Sequence, residues 1–248
     1  RKNMLELQNI HWQLPDGGEI LKGISLSIPD GQLTVVTGPN GGGKTSLAKV
    51  IAGLYAPSEG KILLNGEDIT ELSITERAKK GIAYAFQQPV RFKGLTVLDL
   101  LELSAEEKLP RDKVCSLLGE VGLCSKEYIN READSSLSGG ESKRIEIATV
   151  LARKNASMLV FDEPEAGIDL WSFSNLIEAF ERLKAEGSRS LLVISHQERI
   201  MEIADNIVVI AGGKVRTCGK KDDVLPTLLA DEKTERCPMD KAKREVRA

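Results

Sequence analysis

The sequence predicts an α/β fold: a mostly parallel sheet covered by helices, on a chain of 248 residues. Three observations predict it. Short apolar runs alternate with helical patterns through the later part of the chain. One run, "QLTVVTG" at 32–38, leads straight into a glycine-rich turn and then a helix, the context that a phosphate-binding loop requires. The composition, 41% hydrophobic and 29% charged, is that of a globular chain and argues against disorder.

The elements follow in order. "ISLSI" (24–28) alternates apolar and polar residues, as a half-buried strand does. "QLTVVTG" is β-branched and continuously apolar, which suits a strand buried on both faces. From Lys44 to about Gly53 a helical pattern places Leu47, Val50, Ile51 and Leu54 on one face. "KILLNG" (61–66) is a strand ending on an Asn-Gly turn signal. The region from about 95 to 153 is mainly helical. Thr96 is placed to cap a helix carrying Val97, Leu100 and Leu101, and a second helix carries Val114, Leu117, Leu118 and Val121. The stretch 123–136 is polar and reads as loop. "SMLVFDEP" (157–164), "SLLVIS" (190–195) and "NIVVIAGG" (206–213) are short strands separated by helices, and "IVVIAGGKVRTCG" forms a hairpin around Gly-Gly. From about Asp231 the tail is charged and poor in apolar residues, expected to be frayed or a helix lacking its partner.

Several function classes are disfavoured. A net charge of -3 gives no electrostatic footprint for nucleic acid. Cys115, Cys124, Cys218 and Cys237 form no Cys-x-x-Cys pair and do not cluster with the two histidines, so neither a zinc site nor a disulfide framework is expected. Free thiols suit a reducing cytoplasm, the expected location. No apolar run approaches the ~20 residues that span a bilayer. The opening "RKNMLELQNI" lacks a signal-peptide pattern, and its initial Arg1 suggests that further natural residues precede it. A role at a membrane would therefore run through a partner.

Three motifs carry chemistry. Gly38-Pro39-Asn40-Gly41-Gly42-Gly43-Lys44-Thr45 matches G-x-x-x-x-G-K-[ST]. Its glycines let backbone amides wrap around phosphate oxygens, with Lys44 reaching the β- and γ-phosphates and Thr45 ligating Mg2+. "MLVFDE" ends in Asp162 and Glu163. Successive strand residues point to opposite sides, so Asp162 faces the metal, through water, while Glu163 serves as general base or orients water at the γ-phosphate. "LSGGE" at 137–141 is a second glycine-rich turn entering a helix. Two readings of it stand. Ser138, Gly139 and Gly140 grip the γ-phosphate of a nucleotide bound to a second copy of the chain. Alternatively, Ser138 merely caps the helix with Glu141 at its third position.

In order and spacing, "GPNGGGKTS", "LSGGE" and "MLVFDEP" resemble the ATP-binding-cassette (ABC) ATPase family, from residue 3 to about 230. The resemblance implies one P-loop NTPase domain over 3–230, with an N-terminal antiparallel β-subdomain, a helical subdomain inserted at about 95–145, and a charged tail at 231–248. It implies Mg2+-dependent ATP binding and hydrolysis in a head-to-tail dimer. The phosphate grip extends to Ser46, and Gln87 in "AFQQP" senses Mg2+ and the attacking water. Asp169 in "AGID" contacts the opposite subunit, and His196 in "VISH" bonds the γ-phosphate. Two departures touch this pattern. Leu14 stands where an adenine-stacking aromatic is expected, Trp12 being read as a core residue of the strand, and Gln197 follows the histidine where an acid is common. "SGGESKRIEI" and "SHQERIMEIADN" resemble the SufC-type branch, the ATPases of iron–sulfur cluster assembly, whose partners are soluble SufB- or SufD-like scaffolds. "GIDLWS" and Pro164 depart from that branch. The alternative partner is a membrane permease docking near Gln87, with the chain peripheral to the membrane. An ATP-gated binding module with little turnover is a further alternative, opposed by the presence of both Glu163 and His196.

Overall fold

The computed structural model describes residues 3–87, 92–134 and 136–234. Residues 88–91 of the stretch after Gln87, Ser135, Cys237 and the rest of the tail past Thr234 lie outside the described residues. In chain order the elements are β1 (Asn3–Gln13), β2 (Glu19–Pro29), β3 (Leu33–Thr37), α1 (Lys44–Ala52), β4 (Glu59–Leu64), β5 (Glu67–Asp68), α2 (Ile74–Lys79) and β6 (Ile82–Ala85). The chain continues with α3 (Val97–Ala105), α4 (Arg111–Glu120), α5 (Ser125–Tyr128), α6 (Gly139–Ala152), β7 (Met158–Asp162) and α7 (Leu170–Glu186). It closes with β8 (Ser190–Ile194), α8 (Glu198–Glu202), β9 (Asn206–Ala211), β10 (Lys214–Lys220) and α9 (Lys221–Thr234).

Two sheets form. An antiparallel sheet has the order β2-β1-β4-β5, and a larger one has the order β10-β9-β3-β8-β7-β6. In the larger sheet every pairing from β9 to β6 is parallel, and only the β9–β10 hairpin is antiparallel. Every residue of β3, β7 and β8 is buried, as their unbroken apolar runs require. Their side chains alternate between two cores. Val35, Phe161 and Val193 pack with the helices α3, α4, α6 and α7, whereas Val36, Val160 and Ile194 pack with α1 and the antiparallel sheet. The parallel sheet is thus the middle layer of a sandwich.

Some sequence expectations shift in detail. The 123–136 stretch contains the single-turn α5, and the mainly helical region read over about 95–153 runs to the end of α6 at Ala152. α1 stops at Ala52 because Gly53 adopts φ 86, so Leu54 leaves the helix face and is exposed. The first residues of the charged tail take the second of their two expected forms, extending α9 to Thr234. Thr96 caps α3 as expected, in a reciprocal box with Asp99. Among the described residues no helix is long and apolar enough to cross a membrane.

Candidate functional site

Four neighbouring parallel strands, β3, β8, β7 and β6, deliver the sequence-predicted residues from their carboxyl ends, where α/β sheets hold ligands. β3 runs into the glycine loop. Gly38 has φ 129, and a Cβ there would lie 2.0 Å from the Ile210 carbonyl oxygen, so only glycine fits. Gly43, at φ 103, ends the loop and starts α1. The loop from Asn40 to Ser46, with Ile20, Gln87 and Glu163, lines a cavity of about 420 Å³. Gly38 and Pro39 lie behind it, and their carbonyls accept from Lys44 Nζ at 2.7 and 3.0 Å. Burial lowers the Lys44 pKa, opposed by the charges of Glu163 and Asp162.

At the end of β7 the two carboxylates part where the chain leaves the strand, Asp162 being its last residue. Asp162 is buried; its Oδ1 accepts from Thr45 Oγ1 at 3.2 Å and its Oδ2 from Tyr84 OH at 3.2 Å. Desolvation holds its pKa up, with those two hydrogen bonds opposing. Glu163 turns the other way, at φ 47, into the cavity. Its Oε2 accepts from Gln87 Nε2 at 2.9 Å, and its Oε1 lies 4.0 Å from His196 Nε2. Burial, then the Lys44 charge, lowers the His196 pKa against the pull of Glu163. A neutral imidazole can still donate one ring N–H.

Hydroxyl, amide and carboxylate oxygens suit Mg2+, which binds few protein groups and takes its remaining ligands from water and phosphate. Thr45, Asp162 and Gln87 form such a partial set beside the glycine loop. The glycine-rich loop backbone and the α1 N-terminus suit the phosphates themselves.

Ser138, Gly139 and Gly140 do not line this cavity. Ser138 Oγ accepts from the Glu141 amide at 3.2 Å, and Glu141 Oε2 accepts from the Ser138 amide at 2.7 Å, so the capping box is real. The Tyr128 hydroxyl, that box and Arg131 pull the Glu141 pKa down to about 2. Asp169 is also used within the chain, as the cap of α7: it accepts from the Trp171 and Ser172 amides and the Ser172 hydroxyl. Leu14 is exposed, and Trp12 stacks face to face on Tyr55 with ring centroids 4.3 Å apart, packed against the second core.

Sequence reasoning missed three supports. Lys143, on the buried side of α6, donates to the carbonyls of Phe86, Gln87 and Asp162, tying the ends of β6 and β7 to that helix. Its i, i+4, i+7 spacing with the buried Ile147 and Val150 was the available signal. Glu165 accepts from Ser195 Oγ at 2.5 Å, and Ser195 Oγ accepts from the Gln197 amide at 3.0 Å, bracing the turn that carries His196. Tyr84 braces Asp162, and both groups sit far apart in sequence, so no local pattern marks the pair.

The family model described as "ABC transporter" matches residues 21–166. An uncharacterized ABC transporter ATP-binding protein of Methanocaldococcus jannaschii is 38% identical over 229 residues, covering 89% of this chain and 90% of that protein. The sulfate/thiosulfate import ATP-binding protein CysA of a Synechocystis strain is 34% identical, covering 82% of this chain and 57% of that protein. Among solved structures, an ATP-binding cassette of an ABC transporter in its ADP conformation superposes with a TM-score of 0.76 at 29% identity, covering 94% of this chain and 97% of that one.

Proposed function

The chain belongs to the ABC transporter family, and from that premise we propose that it is the ATP-binding, ATP-hydrolysing subunit of an ABC transporter, working as a head-to-tail dimer docked on a membrane permease. One observation carries the reading. Lys44, Thr45, Asp162, Glu163, Gln87 and His196 converge from four adjacent strand ends, while the Ser138 turn faces elsewhere. A second copy would bring its Ser138, Gly139 and Gly140, with Asp169 nearby, to the γ-phosphate and complete the pocket.

Within that pocket the loop amides from Gly41 to Thr45 and the Lys44 ammonium hold the phosphates. Thr45, Gln87 and Asp162 would hold Mg2+, which would offset the charge of the phosphates. Gln87 and Glu163 orient the attacking water, and Glu163 Oε accepts its proton. His196, kept neutral, donates its N–H to a γ-phosphate oxygen. The test is Glu163→Gln. It should lower ATP turnover by about 10²-fold or more and leave an ATP-dependent dimer on size-exclusion chromatography. Turnover at the parent rate removes Glu163 from the reaction.

A second reading rests on the resemblance of "SGGESKRIEI" and "SHQERIMEIADN" to the SufC-type branch. There the chain is the SufC-like ATPase of iron–sulfur cluster assembly, partnered by a SufB- or SufD-like scaffold. The relatives described above carry transporter names, which favours the permease. Co-expression with the product of the neighbouring reading frame separates the two. Recovery with a multi-spanning protein in the membrane fraction supports the permease, and recovery with a soluble scaffold supports the other.

A further inference from the structure

Two turns leave the carboxyl ends of β7 and β8, one carrying Glu163 and the other His196. The ladder between these strands ends at the pair Asp162 and Ile194, and one more backbone bond follows, from the Glu163 amide to the Ile194 carbonyl at 3.0 Å. Beyond it the tie is made by side chains: Glu165 Oε1 accepts from Ser195 Oγ at 2.5 Å. We propose that Glu165 is a positioning residue for ATP hydrolysis, which sets the His196 imidazole against Glu163 by clamping Ser195, the residue before the histidine. The inference rests on the ATPase reading and adds to it a third carboxylate with a role of its own.

Ser195 is fully buried, and its Oγ is engaged twice, donating to Glu165 and accepting from the Gln197 amide at 3.0 Å. The hydroxyl thus spans His196 and holds the residues on either side of it. The other turn is closed on itself in a similar way. The Ala166 amide donates to the Glu163 carbonyl at 3.1 Å, and the Ile168 amide to the Glu165 carbonyl at 3.2 Å. With each turn locked internally, the Glu165–Ser195 bond fixes one against the other. The separation it governs is the 4.0 Å between Glu163 Oε1 and His196 Nε2. A shift of about 1 Å in either turn would misplace both groups for a shared substrate.

Stability does not account for a carboxylate at this place. Glu165 Oε2 is buried and meets no hydrogen-bond partner among the described residues. An orphaned buried oxygen costs on the order of 1–3 kcal/mol. Burial raises the Glu165 pKa, the Ser195 bond opposes that rise, and the Glu163 charge adds to it. An apolar side chain would remove the orphan and the charge together, but it would lose Ser195. A length of 2.5 Å is that of a hydroxyl donating to a charged carboxylate, the stronger kind of hydrogen bond. The site gives up stability and gains a short, stiff bond one residue from His196. Perturbed groups of this kind gather where a reaction is run.

The chain has two histidines, His11 and His196, so the clamp can be watched directly. Ring NMR spectra of the full chain, assigned with His11→Gln, should show the His196 signals displaced in Glu165→Met and those of His11 in place. Glu165→Met should also lower kcat for ATP at least about tenfold and leave KM within about twofold, because the loop around Lys44 still holds the phosphates. Glu165→Gln, whose carbonyl oxygen can still accept from Ser195, should recover most of both losses. Affinity for a fluorescent ATP analogue should match the parent's and reports an intact fold. Where Glu165→Met binds the analogue poorly, Ser195→Ala breaks the same bond from its other end and decides on the same readouts. Turnover at the parent rate, His196 signals that stay in place, or no recovery in Glu165→Gln overturns the proposal, and with a parent that hydrolyses ATP it overturns this inference alone. A parent that hydrolyses no ATP overturns the ATPase reading and this inference with it, whatever the histidine spectra show.

Discussion

Gly139 and Gly140 are neighbours with opposite constraints. A Cβ at Gly139 would meet nothing within 4 Å, whereas one at Gly140 would lie 2.4 Å from the Gly167 carbonyl oxygen. Gly140→Ala should therefore cost about 1–3 kcal/mol, read as a lower Tm with or without nucleotide. Gly139→Trp should leave Tm within about 1 °C of the parent, since exposed sites cost little, yet abolish the ATP-dependent dimer of the Glu163→Gln protein. That pair of results separates a capping turn from a surface built for a second copy. Glu146 makes a different prediction. Its folded-state pKa of about 7 stands above the ordinary glutamate value of 4.5, so the folded state binds the extra proton between those limits. Its contribution is then fully present below 4.5 and lost as pH rises through 7, amounting to about 3 kcal/mol at most. Glu146→Gln should flatten the fall in Tm across that window and raise Tm at pH 8. Strand alternation suggested that Asp162 and Glu163 would point apart, but Glu163 lies past the end of β7 at φ 47, so a left-handed turn rather than the pleat sets its direction. Glu165 and Tyr84 were not legible in the sequence, because each acts on a side chain supplied by a distant segment, and for Lys143 only the buried helix face was legible, not the carbonyls it grips.

At the scale of elements, α1 depends on a single buried side chain beyond its own sequence. Arg77, in α2, donates to the carbonyls of Val50 and Ile51 at the end of α1, and to those of Thr70 and Leu72. A guanidinium is well matched to helix-end carbonyls, which the helix itself cannot satisfy. Arg77→Met should take a donor from all four carbonyls, Val50 O alone keeping the Gly53 amide, and lower stability by about 3 kcal/mol, or roughly 6–12 °C in Tm. Lys should rescue only part of the loss, having no planar fork to span four acceptors. The strands β3, β7 and β8 could be read from their unbroken apolar runs, and the caps of α1 and α3 from glycine and threonine. The short α2 and single-turn α5 escaped because they bury little of their own surface: α2 has one buried residue, the arginine, and α5 has none. Periodicity reports an apolar face, and these helices lack one.

Among the described residues, the two most exposed large apolar side chains follow Asp169 directly. Leu170 is 69% exposed and Trp171 82% exposed. Only Trp12 and Trp171 are tryptophans, and Trp12 is half-buried against Tyr55. If a second copy covers this corner, ATP added to Glu163→Gln should shift tryptophan emission to shorter wavelength. Trp171→Phe should remove the shift while Trp12→Phe keeps it. An unchanged spectrum in a dimer seen by chromatography would place the contact elsewhere.

The helical region leaves the sheet after β6 and returns at β7, two strands that lie side by side. It therefore hangs from one edge of the molecule like a door on a narrow frame. Two latches from the same helix, Lys143 and Glu146, close on a single residue of that frame: one takes the Phe86 carbonyl and the other its amide. Any swing of the door is felt at Phe86 first, and Gln87 is the next link in the chain.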